Sequence, residues 1–265
     1  MTILELLILA LIQGITEFIP VSSSAHLILP SALIDGFEDQ GPMIDAAAHA
    51  GTLLAVMLYF RRDVVGMFVG LKDFAEQRPG PARRQFEVLV IATIPFLIAG
   101  SAVAFFDLTP ILRNPVIIGL ASIVFGLVLY VADKQPETVT GDVSTHKQAF
   151  VIGLAQCLAL IPGTSRSGIT ITASRYLGYT RKDAARFSML LAIPTLSAMG
   201  LYAFLDLATA DERGSLLAGV MIAFFSFVAA LITISVFLKA TERFSFAPFV
   251  IYRVVLGVVV LALVI

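Results

Sequence analysis

Charge is scarce in this chain. Of its 265 residues 14% are charged and 58% hydrophobic, whereas soluble domains are about a quarter charged. A water-soluble domain of this length has more surface than so few charges could cover. Cysteine is nearly absent. Cys157 stands alone in an apolar run, so no disulfide can form within the chain. A strong excess of either sign is missing too. The net charge of −1 gives no basis for a polyanionic partner, and nucleic acid is not expected as one. The start, Met-Thr-Ile-Leu-Glu, lacks a basic region and a small-residue cleavage site, so no signal peptide is expected and the apolar N-terminus should be retained. What the chain has in quantity is apolar length, with a mean hydropathy of +0.93.

A helix needs roughly 20 apolar residues to cross a bilayer core. Six stretches qualify or nearly so: Met43–Phe60, Val88–Phe106, Pro115–Ala132, Phe187–Phe204, Ser215–Leu238 and Phe249–Ile265. Asp45 interrupts the first and Arg253 the last; the other four carry no charge. Two further apolar segments, Leu6–Ile19 and Gln148–Ile161, are too short, since ~14 residues of helix cover only ~21 Å. Each runs into a proline, Pro20 or Pro162, then a polar serine-rich break, then a second short apolar piece, Leu27–Leu33 or Ile169–Leu177. This pattern predicts two re-entrant helical hairpins. Irregular backbone at membrane depth is tolerated only where it is buried in protein or lines a wet cavity, so the breaks should line a cavity.

Loop charges fit this count. With six crossings, loops 61–87, 133–147, 178–186 and 239–248 share one side and hold thirteen Lys and Arg residues, against Arg113 and Arg213 on the other. The positive-inside bias places the basic loops in the cytoplasm and both termini outside it. The expected fold is an all-α polytopic membrane protein. It forms one membrane domain over 1–265, with six transmembrane helices, two re-entrant hairpins and an inverted-topology repeat. Repeat 1 covers about 1–135 and repeat 2 about 148–265. Pro20 set opposite Pro162 aligns the halves, and Leu58-Tyr59-Phe60 and Leu201-Tyr202-Ala203-Phe204 each close a span. Inverted repeats are frequent among transporters, which keeps a transport reading open.

The chemistry lies in the hairpin breaks. Gln13 and Glu17 are four apart and share a helix face. An ionisable group at this depth defaults to a functional role, although Glu17 could instead be a structural pairing or capping group. Ser22, Ser23 and Ser24 follow, and at least one could serve only as a helix cap. His26 falls in the first turn of the next helix, where the dipole disfavours its protonation, leaving a base or nucleophile. In the second break, Gly163 and Gly168 should let the backbone bend into an anion nest. Thr164, Ser165, Ser167 and Thr170 supply hydroxyls, and Arg166 offers bidentate bonds to phosphate. Arg166 could equally be a structural partner of Glu17 or Asp45. Asp45 and His49 form another i,i+4 pair, readable as supporting partners of the site, as a metal pair, or as interfacial residues without chemistry. One hairpin thus brings carboxylate and imidazole and the other brings cation and hydroxyls, the division that phosphoryl transfer requires.

At these residues the chain resembles the undecaprenyl-pyrophosphate phosphatase family, the bacitracin-resistance membrane phosphatases. Its first motif matches Gln13, Glu17, Pro20, Ser22, Ser23 and His26. Its second, Pro-Gly-x-Ser-Arg-Ser-x-x-Thr, matches Pro162, Gly163, Ser165, Arg166, Ser167 and Thr170. Gln13 stands where many members have Glu, and Ala25 where many have Gly, so one candidate metal carboxylate is missing. The resemblance implies hydrolysis of a long-chain isoprenoid pyrophosphate to the monophosphate, recycling the carrier for cell-wall synthesis. It implies a divalent cation, Mg2+ or Ca2+, held through Glu17 with Asp45 and His49 behind it. It implies a bacterial inner-membrane location and a site open to the extracytoplasmic side. Catalytic roles would fall to Glu17, Ser23, His26 and Arg166, and substrate contacts to Gln13, Ser22, Ser24, Gly163, Thr164, Ser165, Ser167 and Thr170. Serine and histidine both stay open as attacking groups, and a homodimer stays open as an assembly. The phosphatidic-acid phosphatase pattern is absent: after Ser174-Arg175 its histidine and aspartate places hold Arg181 and Ala185. The rival function is a carrier of an isoprenoid phosphate, with Arg166 gripping the headgroup.

Overall fold

The computed structural model describes residues 3–33, 41–209 and 216–265. Arg213 and Ser215, used above, lie outside them. Twelve α-helices form among the described residues, and their only β pairing is an isolated bridge between Val139 and Tyr179. They are α1 (Ile3–Thr16), α2 (Ser23–Leu33), α3 (Pro42–Tyr59), α4 (Arg61–Ala75), α5 (Pro81–Phe105), α6 (Thr109–Leu112), α7 (Pro115–Asp133), α8 (His146–Gln156), α9 (Arg166–Tyr176), α10 (Arg181–Thr209), α11 (Leu216–Thr241) and α12 (Ala247–Val264). Five of them, α5, α7, α10, α11 and α12, are each long and apolar enough to cross a membrane. The chain is an all-α multi-pass membrane protein.

α3, bent against α4, is the sixth candidate for a crossing. Its 18 residues give about 27 Å of helix, close to the thickness of a hydrocarbon core. Near its start Ile44 packs with Leu6 and Ile222. Just past its end Asp63 meets Arg186. At Phe60 the chain turns 87° into α4, a helix inside a stretch that the sequence reading treated as loop. Its low hydrophobicity hid it: Arg61, Arg62, Asp63, Lys72 and Asp73 punctuate its apolar residues.

The four basic loops lie together at one end of the bundle. Arg186, on loop 178–186, pairs with Asp63 of the first loop and Asp142 of the second. His146 bonds Glu87 at 2.9 Å, and Arg181 bonds Asp133 at 2.5 Å. Lys182 reaches Glu242 on the fourth loop, and the Phe246 N–H donates to Asp133.

Both ends of the second hairpin belong to this same end. α8 starts at His146, beside Glu87, and α9 finishes beside Arg175, which donates to the carbonyls of Asp133, Gln135 and Tyr179. A 3-10 turn, Cys157–Leu160, tightens the approach to the tip. The first hairpin comes from the opposite end, where Leu6, Leu9, Leu27, Ile44 and Ile222 form their own cluster. Its outgoing helix α1 lies on α11, with the Ser226 hydroxyl donating to the Ala10 carbonyl at 3.2 Å. Its returning helix α2 meets α7 and α12 through Ala25, Leu29, Ile118 and Val260. Small residues let backbones approach in a membrane, where lipid gives no apolar driving force. At the α7–α12 crossing a Cβ on Gly257 would stand 2.5 Å from the Gly119 carbonyl oxygen.

Candidate active site

The two hairpin tips touch. The Gly163 N–H donates to Ser22 Oγ at 3.1 Å, Ser167 Oγ donates to the Ile19 carbonyl at 2.9 Å, and Arg166 Nη2 donates to Glu17 Oε1 at 2.8 Å. The local chain explains why the tips form. Gly163 sits at φ +93°, and a Cβ there would be 2.4 Å from the Ile118 carbonyl oxygen of α7. Only glycine meets both demands without strain. Ser22 and Ser165, immediately ahead of α2 and α9, also take left-handed φ values of 75° and 68°. Such backbone costs on the order of 1–3 kcal/mol for a residue with a side chain and collects at functional sites. Each serine caps its helix: Ser165 Oγ accepts from the Gly168 N–H at 3.1 Å and Ser22 Oγ from the Ala25 N–H at 3.4 Å.

These matching features correct the alignment of the halves by one residue. Ser22 corresponds to Ser165, Ser23 to Arg166 and Ser24 to Ser167. The hydroxyls of Ser22 and Ser24 lie 3.1 Å apart, as do those of Ser165 and Ser167. Setting Pro20 opposite Pro162 had paired Ser24 with Arg166. The prolines occupy different steps of their turns, and the helix starts are the structural equivalents.

Glu17 is the hub. It is 6% exposed, and each of its oxygens is engaged. Oε1 accepts from Arg166, and Oε2 accepts from Ser23 Oγ at 2.8 Å and from Gln13 Nε2 at 2.9 Å. A carboxylate that keeps its charge at this depth needs such donors. Gln13 Nε2 also lies 2.8 Å from His49 Nδ1. The amide nitrogen is the donor there, so Nδ1 is the acceptor and the ring proton sits on Nε2. Arg166 is steadied by the Ser188 carbonyl at 3.2 Å and by the Phe18 ring. Thr170 Oγ1 lies 2.8 Å from Ser188 Oγ and 2.9 Å from the Arg166 carbonyl.

His26 faces elsewhere. Its Nδ1 is 2.7 Å from the Ser22 carbonyl, which can only accept, so Nδ1 carries the proton. Its Nε2 therefore takes the hydroxyl of Tyr252 on α12, at 2.5 Å, and the two rings stack. The pair stands at the edge of a groove of about 550 Å³ between α1 and α12, whose other walls include Ile8, Ile12, Ile15 and Phe249. No hydrogen bond joins His26 to Ser23 in this arrangement; the base next to Ser23 is Glu17.

The chain matches the family described as bacitracin resistance protein BacA over residues 6–259. It belongs to that family. It is 48% identical to an undecaprenyl-diphosphatase of Maricaulis maris, with 98% of both chains covered. It is 46% identical to an undecaprenyl-diphosphatase of Ruegeria pomeroyi, with 99% of both covered, and 46% identical to undecaprenyl-diphosphatase 1 of Pseudoalteromonas translucida, with 97% of both covered.

In this BacA-family chain the structure gathers Gln13, Glu17, Ser23, Arg166 and His49 into one network, with Ser22, Ser24, Gly163, Ser165, Ser167 and Thr170 around it. Thr164 differs from expectation. Its side chain is fully buried, its hydroxyl has no partner, and its carbonyl accepts from Arg253. Gly168 also differs: it lies within regular helix, and what it provides is room for Arg253, not a bend. Asp45 has a partner of its own, while His49, one turn on, is the member of that pair that joins the network, through Gln13 Nε2. The sequence reading passed over Ser188, Tyr252 and Arg253. The signal for Arg253 was there, one cation in an otherwise uncharged span; Ser188 and Tyr252 carried none.

Among the described residues no group of three or more His, Cys, Asp or Glu side chains could hold a metal ion. A tight all-protein cage is therefore not what a divalent cation would find. The residues still fit a magnesium-like ion that takes one carboxylate and completes its shell from substrate oxygens and water. Gln13, whose Nε2 binds Glu17, has its Oε1 buried without a partner among the described residues, an orphaned acceptor of the hard-oxygen type such ions prefer.

Proposed function

We propose that this chain hydrolyses undecaprenyl pyrophosphate to undecaprenyl phosphate and inorganic phosphate, with Ser23 as the attacking group. One observation carries the choice of serine. Ser23 Oγ donates to Glu17 Oε2 while Arg166 holds the other oxygen of the same carboxylate. A serine hydroxyl needs an adjacent base, and Glu17 is that base. The terminal phosphate displaces Glu17 from Arg166 and is received by the guanidinium, the hydroxyl of Ser167 and the N-terminus of α9.

The proton of Ser23 passes to Glu17 as Oγ forms a bond to the terminal phosphorus. The bridging P–O bond breaks, and its electron pair leaves with the lipid monophosphate. Glu17 gives that proton to the departing lipid monophosphate. Water then attacks the phosphoserine phosphorus and gives one proton to Glu17; the Oγ–P bond breaks, Glu17 returns the proton to Ser23 Oγ, and phosphate leaves with the other. His26, locked by the Ser22 carbonyl with Nε2 turned to the groove, holds the Tyr252 hydroxyl at the lipid side. The groove between α1 and α12 takes the first isoprene units, because its walls are apolar and the His26–Tyr252 pair marks its polar mouth. A divalent cation held by Glu17 and Gln13 Oε1 would offset pyrophosphate charge when bound.

The relatives' names support hydrolysis and give no support to a carrier. We place the protein in the bacterial inner membrane, basic loops in the cytoplasm, with the first hairpin entering from the extracytoplasmic side. The test is phosphate release from undecaprenyl or farnesyl pyrophosphate by the purified protein, with and without chelator. Release by wild type and none by Ser23→Ala is expected. Release by Ser23→Ala at the wild-type rate would hand the attack to water or His26.

A further inference from the structure

Three arginines are sunk among the helices. Arg166 is paired with Glu17, and Arg175 lies within reach of Asp133 and Glu137. Arg253 has no carboxylate within ion-pair distance among the described residues. It is 0% exposed in the middle of α12. Nη2 makes both of its bonds, to the Gly163 carbonyl at 2.9 Å and the Thr164 carbonyl at 2.8 Å. Nε and Nη1 have no partner among the described residues.

The fold is cut to admit this side chain. Gly126 of α7 faces its Cβ, and a methyl group on Gly168 of α9 would come within 2.9 Å of Nη1. Packing alone does not explain it. A buried ion without a counter-ion is costly, and an apolar side chain of the same volume fills such space at no loss. The position of the charge is specific. It lies directly behind the tip of the second hairpin. Because the peptide unit is planar and trans, the Thr164 carbonyl turned toward α12 sends the N–H of Ser165 to the opposite side.

We propose that Arg253 is a positioning residue whose unmatched charge is completed by the pyrophosphate headgroup, and which fixes the hairpin tip that receives it. In the ligand-free protein Arg166 is matched by Glu17, so the surplus positive charge behind the tip is that of Arg253. An anion of two or more charges arriving at the tip balances both guanidinium groups, with Arg166 touching it and Arg253 acting through the backbone of Gly163–Ser165. This rests on the phosphatase reading for the identity of the anion.

The experiment uses purified full-length protein in detergent, with melting temperature read with and without inorganic pyrophosphate and KM and kcat read on farnesyl pyrophosphate. Arg253→Met should melt no lower than wild type without ligand. It should lose the stabilisation by pyrophosphate, and its KM should rise about tenfold, the size of one lost charge-assisted contact. Arg253→Gln, which can still donate to a carbonyl but carries no charge, should show the same KM rise. Arg253→Lys should keep the stabilisation and a KM within a few-fold of wild type, since one nitrogen makes both bonds. Normal pyrophosphate stabilisation and normal KM in Arg253→Gln would overturn the proposal, as would a lower melting temperature with unchanged KM in Arg253→Met. Wild-type protein that is stabilised by pyrophosphate through Arg253 yet releases no phosphate would support this inference and sink the phosphatase reading alone.

Discussion

Ser23 and Arg166 are structural counterparts. Each is the first residue of the helix that follows a hairpin break, and each bonds one oxygen of Glu17 at 2.8 Å. The two hairpins have thus put a hydroxyl and a cation at equivalent places on either side of one carboxylate. Their difference is what turns a symmetric binding cradle into a site with a direction.

Removing either half of the Ser23–Glu17 pair should stop the reaction. Ser23→Ala and Glu17→Gln should each lower kcat by about 10²–10⁴, the range for loss of general-base assistance, and the double variant should be little worse than either single one, as for residues acting as one unit. His26→Ala should also lower kcat, whereas Tyr252→Phe, which removes only the hydroxyl on Nε2, should lose less than tenfold. The measurement is initial phosphate release by variants whose melting temperature matches wild type. Additive losses in the Ser23/Glu17 double variant would show that the two do not act together.

Arg166→Lys keeps the charge but loses the planar fork that spans Glu17 and the Ser188 carbonyl. A KM increase of tenfold or more is expected on the order of one charged hydrogen bond. Arg166→Ala should also leave Glu17 buried and unpaired, so it should melt lower than Arg166→Lys. A folded Arg166→Ala protein with normal KM would remove the guanidinium from the site.

Gly163→Ala should be destabilising by on the order of 3 kcal/mol, combining left-handed backbone with overpacking against the Ile118 carbonyl. Gly200→Ala is the control: a Cβ there meets nothing within 4 Å in the middle of α10, and the change should be neutral to slightly stabilising. Thermal melts of the two variants in detergent decide the comparison. Equal melting temperatures would mean that the tip relaxes freely.

Sidedness is testable on a Cys157→Ser background. Thr109→Cys, at the start of α6 between α5 and α7, should react with an impermeant thiol reagent in intact cells. Gln77→Cys, between α4 and α5 at the basic end, should react only after permeabilisation. Labelling of Gln77→Cys in sealed cells would invert the orientation.

Much of this was legible in the sequence because membrane constraints are severe. Apolar length marked the five long helices and the sixth candidate, α3, and proline followed by serine marked where two helices break. Arg166 and Glu17 stood out as ions at depth. Helix α4 was not legible, since its mixed charged and apolar residues satisfy a loop as well as a helix lying across the end of α3. The pairing of Ser23 with Glu17 was not legible either: spacing six residues across a left-handed Ser22 has no sequence signature. Tyr252 and Ser188 reach the site from α12 and α10 through tertiary packing alone, and His26 could be picked out but not its direction.

The lashing of the four basic loops bears on how the molecule can move. Asp63, Asp142 and Arg186 clasp three of those loops in one knot, and Asp133 joins Arg181 to the start of α12 through Phe246. A carrier that works by rocking must unfasten each end in turn. Here that end would have to surrender a whole set of charge pairs at once, several of them linked through shared residues. Under the proposed reaction, lipid and phosphate would come and go by the groove between α1 and α12, away from this fastened end.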